Sequence, residues 1–537
     1  MANKIKQKNM KKIIFSIAVI VNLQANAQQI VKGIVFEDRN NNGRLDKKEK
    51  GIENVAVSNG IDVVLTDSKG RYTLTVNDDN QVFVIKPSHY KTPLDTYFTP
   101  KFYHTHKPKG SPKNFKYAGV EPTKKLPKSV DFPLLPEKES STFTAFVFGD
   151  PQAYTEEELT FFRKAIVDDA MQHKENVSFG ISLGDLVGDD LSLQPKYKKI
   201  MSALSLPWYN VIGNHDMNFE ATIDEYSDET FEKNFGPSTY AFNYGNAHFL
   251  ILDNILYPNP RGGKGYLGGF RQDQLEFIKN DLKFVPKNKL IVLSFHIPIF
   301  IEGEDHFDKE SRQQLLAILK DFPNVLMMSA HTHYQMHQFY GKDKGWEGAK
   351  PLHEYNVGTT SGDWYSGELN ALGVPVSTMR DGTPRGYAYL TVKDNQYELD
   401  YKVASKPLDY KMEIYAPNVI ANKGWNTSYV VANIFMGSEK DQVEIRFGNG
   451  KWQKMEKTLQ EDPTFYHQVQ RWDISQELLT GRRPSNPIKS SHLWQKKLPN
   501  NLGIGEHSIE VRVLDMFGRT YSNSTTYRIE EKKEIAK

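Results

Sequence analysis

From residue 143 onward, short apolar runs alternate with polar stretches that keep helical spacing. Phe143-Thr144-Ala145-Phe146-Val147-Phe148, Phe179-Gly180-Ile181-Ser182-Leu183, Trp208-Tyr209-Asn210-Val211-Ile212, Leu290-Ile291-Val292-Leu293-Ser294-Phe295 and Val325-Leu326-Met327-Met328-Ser329 are nearly continuous apolar runs. Runs of that length read as buried strands. Behind Thr155-Glu156-Glu157-Glu158, a capping box, Leu159, Phe162, Ile166 and Ala170 fall on one helical face. That spacing predicts a helix over 155–172, and similar patterns predict helices over 272–282 and 310–319. Strands alternating with helices make residues 141–405 an α/β domain.

The flanks follow a different period. Residues 28–105 contain short alternating runs, such as Ile30-Val31-Lys32-Gly33-Ile34-Val35-Phe36 and Arg71-Tyr72-Thr73-Leu74-Thr75-Val76, separated by turn residues. They predict a small β domain. Residues 106–140 are rich in Lys and Pro and read as a linker or a strap over the next domain. Past residue 406 the helical patterns thin out. Runs such as Val443-Glu444-Ile445-Arg446-Phe447, followed at once by Gly448-Asn449-Gly450, predict hairpins and a C-terminal β-sandwich over 406–537.

The first 27 residues have the layout of a secretory signal. Lys4, Lys6, Lys8, Lys11 and Lys12 form a basic region, residues 13–23 an apolar one, and Ala25-Asn26-Ala27 a small-residue cleavage site. The apolar run is well short of the roughly 20 residues of a membrane span, and no later stretch is long enough. The expectation is an exported protein, periplasmic or secreted, without a span after cleavage. Cleavage would remove five lysines and no acid, leaving 63 basic against 66 acidic residues and moving the formal charge from +2 to −3. Nothing in that balance points to nucleic acid. The chain has no cysteine, which excludes disulfides, thiolate ligands and a cysteine nucleophile. At 537 residues it can hold about three domains.

Within the first domain, the loop from Asp38 to Glu49 has oxygen-bearing side chains at the calcium-loop positions: Asp38, Asn40, Asn42, Asp46 and Glu49, with Gly43 at the sixth. This is the pattern of an EF-hand-type calcium loop in a β setting. A polar hairpin loop, using Asn and Gly for turn geometry, is the alternative. The segment resembles the carboxypeptidase-regulatory-like and Sdr-B-like modules of secreted bacterial proteins, which implies a structural role.

The candidate chemistry lies where the five apolar runs stop. They end in Asp150-Pro151-Gln152, in Gly184-Asp185 with Asp189 four residues on, in Gly213-Asn214-His215-Asp216, in His296, and in Ala330-His331-Thr332-His333. In α/β sheets ligands bind at the carboxyl ends of strands, so these groups can meet in one crevice. Oxygen with imidazole and no sulfur suits Mn, Fe or Zn. About seven such donors are too many for one tetrahedral ion and suit two ions sharing a carboxylate. Two ions can clamp the attacking and leaving oxygens of an in-line displacement at a phosphate ester.

These motifs, in this order, resemble the calcineurin-like metallophosphoesterases over residues 143–403, and the flanks resemble those of an exported bacterial branch of that family. The resemblance implies an α/β sandwich of two mixed sheets flanked by helices, with N- and C-terminal β-sandwich-like domains. It also implies a dinuclear centre of divalent transition metal ions. Carried over, Asp150, Gln152, Asp185 and His333 would hold one metal, with Asp185 bridging. Asn214, His296 and His331 would complete the second. His215 would face the substrate, with Asp216 the nearest residue to orient it.

Three positions depart from the commonest pattern. Gln152 stands where most members have His, and an amide oxygen is a weaker donor. The second Asp of the Gly-Asp motif usually lies three residues after the first; here that position is Gly188, and Asp189 follows it. Ala330 replaces a Gly. Purple acid phosphatases are disfavoured, because their Tyr ligand would fall at Gly188. Trp364 in the segment 358–365 could stack on a base or sugar, and Arg380 or Arg385 could meet a phosphate; loop packing is the other reading. The expected activity is hydrolysis of a phosphorylated small molecule or nucleotide, as a phosphomonoesterase. The alternatives are a phosphodiesterase or nucleotide pyrophosphatase, and a surface binding protein with an inactive metal domain. The sequence leaves the oligomeric state open.

Overall fold

Two stacked sheets occupy the middle of the chain, and their shared interior explains the long apolar runs. The computed structural model describes residues 28–301, 303 and 305–532, so the signal-like segment 1–27 lies outside the described residues. The first sheet has five strands, in the order Trp208–Val211, Val177–Leu183, Thr142–Phe148, Gly386–Lys393, Gln396–Val403. The first three run parallel, and the last two form a hairpin whose first strand lies antiparallel to Thr142–Phe148. The second sheet has six strands, in the order Tyr240–Tyr244, Ala247–Ile251, Leu290–Ser294, Val325–Ser329, Leu352–Asn356, Met336–Tyr340. Its four inner strands are parallel, with an antiparallel strand at each edge. The expected sandwich of two mixed sheets is therefore present.

Aromatic rings fill the seam between the sheets. Tyr209 stacks on Phe242 with centroids 3.9 Å apart, and Phe242 stacks on Phe249 at 4.8 Å. Phe179 meets both phenylalanines edge-on. Such pairs add about 0.5–1.5 kcal/mol each beyond the burial of their area.

Helices cover the outer faces. Gln272–Leu282 is as the spacing predicts, and the next begins one residue early, at Lys309–Leu319. The helix predicted over 155–172 forms, but a π segment, Arg163–Val167, interrupts it between Glu156–Phe162 and Asp168–Gln172. Thr155 caps it by accepting from the Glu158 N–H at 3.1 Å. The Glu158 carboxylate accepts from the Tyr154 N–H instead of that of Thr155, so half of the capping box is displaced by one residue.

The N-terminal β unit has two four-stranded sheets. One of them departs from the sequence expectation. Phe132–Pro136, inside the Lys- and Pro-rich stretch, returns to pair parallel with Gln29–Glu37. The rest of that stretch is a strap anchored by a buried cation. Lys107 reaches the Glu229 carboxylate at 2.5 Å and Glu232 at 3.1 Å. The N-terminal unit also packs on the central sandwich, with Phe102 against Tyr240 at 4.8 Å and Phe83 against Phe277 at 5.6 Å. The two share one continuous hydrophobic core.

The C-terminal part has its own core, between a four-stranded and a five-stranded sheet. Gln442–Phe447 and Gln453–Lys454 pair antiparallel across Gly448-Asn449-Gly450, as expected. A helix, Pro463–Ile474, was not anticipated. Its signal was Asp462 before Pro463, since Asp462 accepts from the Phe465 N–H at 2.7 Å and Pro sits well in a first turn. No helix among the described residues is long and apolar enough to cross a membrane.

Candidate functional site

The polar groups at the strand ends are delivered by tight turns rather than by regular structure. Asp150, Gln152, Asp185, His331 and His333 all have positive φ, between 36° and 72°. Side chains other than Gly rarely adopt that region. The Gly213 turn needs its glycine, because a Cβ there would lie 2.0 Å from the Asp185 amide nitrogen. The turn can thus lay Asn214 and His215 against Asp185. The His215 N–H donates to Asp185 Oδ1 at 2.9 Å. The His331 N–H donates to the Asp150 carboxylate at 3.1 Å, and the Gln152 N–H to the Asp185 carbonyl at 2.7 Å. Asn254, which the sequence reading did not single out, holds the His296 turn. Its Oδ1 accepts from the His296 and Ile297 N–H groups, and its Nδ2 donates to the Ile297 carbonyl at 2.7 Å.

Contacts join six of the seven predicted donors, and the backbone of the seventh, Gln152, is tied to Asp185. His296 Nε2 lies 3.0 Å from Asn214 Oδ1, 3.2 Å from Asp185 Oδ2 and 3.2 Å from His331 Nδ1. His333 Nε2 stands 3.8 Å from Asp150 Oδ1. The Oε1 of Gln152, a buried amide, has no hydrogen-bond partner. Asp150, Asp185, His296 and His333 are all almost fully buried.

That packing has an electrostatic consequence. His296 Nδ1 donates to the Leu183 carbonyl at 2.8 Å. A neutral ring therefore turns a lone pair on Nε2 toward an amide oxygen and a carboxylate, which are acceptors themselves. Burial lowers the His296 pKa, but the Asp185 carboxylate outweighs it and raises the imidazole to about 9. A proton on Nε2 would relieve the clash of lone pairs, and a cation among these groups would do the same. Burial and then His296 press His331 down to about 3, and burial presses His333 down to about 4. Both rings are neutral near pH 7, the form that ligates a metal. His333 is oriented by Nδ1 donating to the Gly362 carbonyl at 3.2 Å, the usual outer-shell partner of a ligating histidine. Hard oxygen, neutral imidazole and an unpartnered buried amide oxygen fit divalent metal ions.

His215 stands beside this cluster, and its orienting partner differs from the expectation. Its Nδ1 lies 2.7 Å from Asp189 Oδ1. Asp216 does not touch the ring. Its buried carboxylate accepts from the N–H groups of Gly213 at 2.9 Å, Leu186 at 3.0 Å and Val187 at 3.2 Å, so it ties the two loops together. Asp189, itself in a left-handed turn at φ 58°, reaches His215 from one residue later than the common spacing. Burial lowers His215, while Asp185 and Asp189 raise it to about 9. Tyr154, which no sequence motif marks, meets the His215 ring edge-on at 5.8 Å, and its hydroxyl lies 3.4 Å from Gln152 Nε2.

The expected substrate contacts are only partly at the site. Trp364 is, but it stacks on His333 with centroids 4.1 Å apart, so one indole face is taken by the protein. Arg380 lies at the junction with the C-terminal domain, where its Nε donates to the Asn486 carbonyl. Arg385 is buried near Tyr365 and Tyr401, and burial lowers its guanidinium to about 10. In the N-terminal loop, Asn40 and Asn42 both donate to Asp46 Oδ2, at 2.8 and 3.0 Å. Asp38 and Glu49 accept from loop N–H groups. The five side chains therefore do line one loop.

Comparison with protein families gives three matches in chain order. The N terminal of calcineurin-like phosphoesterase matches residues 39–120, calcineurin-like phosphoesterase matches 143–335, and the C terminal of calcineurin-like phosphoesterase matches 354–521. The chain belongs to the calcineurin-like phosphoesterases. These are phosphoric ester hydrolases, and the central match spans every predicted metal donor. No curated protein matches the sequence. Among solved structures, this calcineurin-like phosphoesterase is similar to the purple acid phosphatase PPD1 of yellow lupin (Lupinus luteus). The identity is 13% and the TM-score 0.36, over 70% of this chain and 66% of that one. It is also similar to GAP50, the anchor in the inner membrane complex of Plasmodium, at 15% identity and TM-score 0.32, over 50% of this chain and 87% of that one.

Proposed function

We propose that this calcineurin-like phosphoesterase hydrolyses phosphate monoesters of small molecules or nucleotides, using two divalent transition metal ions. The observation that supports it best is the meeting of Asp185, Asn214 and His331 around His296 Nε2, each within 3.2 Å. Asp150, Gln152 and His333 would hold the second ion, with Asp185 between the two. Bound metals supply Lewis acidity toward a phosphoryl oxygen and a nucleophile at neutral pH.

The chain's own residues supply the rest. His215, held by Asp189, presents its other nitrogen to the substrate side, where a protonated ring can donate to a phosphoryl or leaving oxygen. Tyr154, edge-on to the His215 ring, and Trp364, stacked on His333, flank the proposed centre. The basic, apolar and small-residue layout of residues 4–27 supports export to the periplasm or the medium. Purified full-length protein, assayed with Mn²⁺ on chromogenic phosphate mono- and diesters, tests the activity. The monoester should be the better substrate, and metal analysis should approach two ions per chain. No hydrolysis of either ester, with metal content near zero, would overturn the proposal.

A further inference from the structure

The loop that backs His333 is clamped from outside by the C-terminal domain. Gly367–Glu368 pairs antiparallel with Gly481–Arg482, a strand contact between central and C-terminal parts of the chain. The Arg482 guanidinium donates to the Trp364 carbonyl. The Ser485 N–H donates to Asp363 Oδ2 at 2.6 Å, and Arg471 pairs with Glu368 at 3.1 Å. Four contacts thus converge on residues 363–368 from one edge of the C-terminal domain.

The inner side of the same loop faces the metal-donor cluster. The Gly362 carbonyl takes the His333 Nδ1 hydrogen. Trp364, in left-handed backbone at φ 48°, lays its indole on the His333 ring. Tyr365 donates its hydroxyl hydrogen to the carbonyl of Pro151, between Asp150 and Gln152. Each of the three groups on the Gln152 side of the centre is therefore touched, or has its turn touched, by this one loop. The contacts around His296 come instead from Leu183, Asn214 and Asn254.

We infer that the C-terminal domain is a working wall of the active site, with Arg482 a positioning residue for the metal position of Asp150, Gln152 and His333. The inference rests on reading those residues as metal ligands. Arg482 touches neither metal donor nor substrate; it fixes the Trp364 carbonyl and, through that loop, the plane of the His333 ring. Removing an outer-shell partner typically weakens metal affinity 10–100-fold, and a partner one step further out should act near the lower end. The Gln152 position should be the sensitive one, because an amide oxygen leaves it less binding energy in reserve.

The test is a calorimetric titration of chelator-treated full-length protein with Mn²⁺, for the wild type, Arg482→Ala, Arg482→Lys and Arg471→Ala. Arg482 is exposed, so Arg482→Ala should fold, and circular dichroism checks this. The wild type should take up two equivalents. Arg482→Ala should bind one of them about tenfold more weakly and the other unchanged. Arg482→Lys keeps a donor for the carbonyl and should recover most of the loss, and Arg471→Ala should show a smaller effect on the same equivalent. Wild-type titration curves for Arg482→Ala, or equal weakening of both equivalents, would overturn the inference while leaving the proposed function standing. A wild type that binds no Mn²⁺ would overturn both.

Discussion

His215 and Asp189 are joined through Nδ1 and Oδ1 at 2.7 Å, and this pair, rather than His215 and Asp216, sets the direction of the imidazole. With Nδ1 committed to the carboxylate, the remaining ring nitrogen is the one that can serve chemistry. His215→Ala should leave metal content unchanged, because the ring is not among the clustered donors. It should lower kcat about 10²–10⁴-fold, the range of positioned acid–base catalysis. The loss should fall on kcat more than on KM. Steady-state kinetics with parallel metal analysis checks this; loss of a metal ion would refute it.

The two aspartates should separate in their effects. Asp189→Ala frees the His215 ring and should cost kcat about tenfold or more with little change in melting temperature. Asp216→Ala strands the three buried N–H groups of Gly213, Leu186 and Val187. Each buried donor left unpaired costs about 1–3 kcal/mol. Asp216→Ala should therefore lower the melting temperature sharply. Comparing Tm and kcat for the two variants decides it.

A buried acid under the site gives a pH dependence with a fixed sign. Glu354 is fully buried between the hydroxyls of Ser329 and Tyr340, both 2.6 Å away. Burial raises its carboxyl to about 7 from an ordinary 4.5. The folded chain holds that proton more tightly than the unfolded chain does. Its stabilising effect is therefore complete below pH 4.5 and is lost as pH rises through 7. At one pKa unit per 1.36 kcal/mol the effect is on the order of 3 kcal/mol. Glu354→Gln cannot ionise, so its stability relative to wild type should rise between pH 5 and 8. Denaturant unfolding of both proteins across that window measures it, and a constant difference would refute it.

Calcium should act far from the chemistry. If Asp38, Asn40, Asn42, Asp46 and Glu49 take up the ion, millimolar Ca²⁺ should raise the melting temperature by mass action without changing kcat. Asp38→Ala and Glu49→Ala should abolish the shift. No shift in the wild type would leave the loop as a hydrogen-bonded turn, stabilised by its Asn40 and Asn42 donations to Asp46.

Much of the site was legible because five apolar runs each stop at a metal-capable residue, and parallel strands carry such ends to one edge. The sandwich was legible from the same alternation of strands and helices. What escaped depends on chain path rather than on pattern. Asp216 adjoins His215 in sequence while Asp189 lies 26 residues before it, and only the turn geometry sends the adjacent carboxylate inward to backbone N–H groups and the distant one to the ring. Phe132–Pro136 carries two prolines and sits in a Lys-rich stretch, so its long-range pairing with Gln29–Glu37 left no local mark. Arg385 reads as a free cation in the sequence, yet Tyr365 and Tyr401 pack around it. The clamp of Arg482 on Trp364 joins residues 118 positions apart, a separation that no periodicity records.

Five metal-capable side chains held in left-handed backbone make the folded state a loaded one. Each such residue costs on the order of 1 kcal/mol or more, maintained only because the surroundings insist on it. Glycine would sit at Asp150, Gln152, Asp185, His331 or His333 with less backbone penalty than the residue present. The protein thus spends thermodynamic reserve where its chemistry is, and the strain is a form of preorganisation. Ligands bent into place during folding have little left to rearrange when a cation arrives.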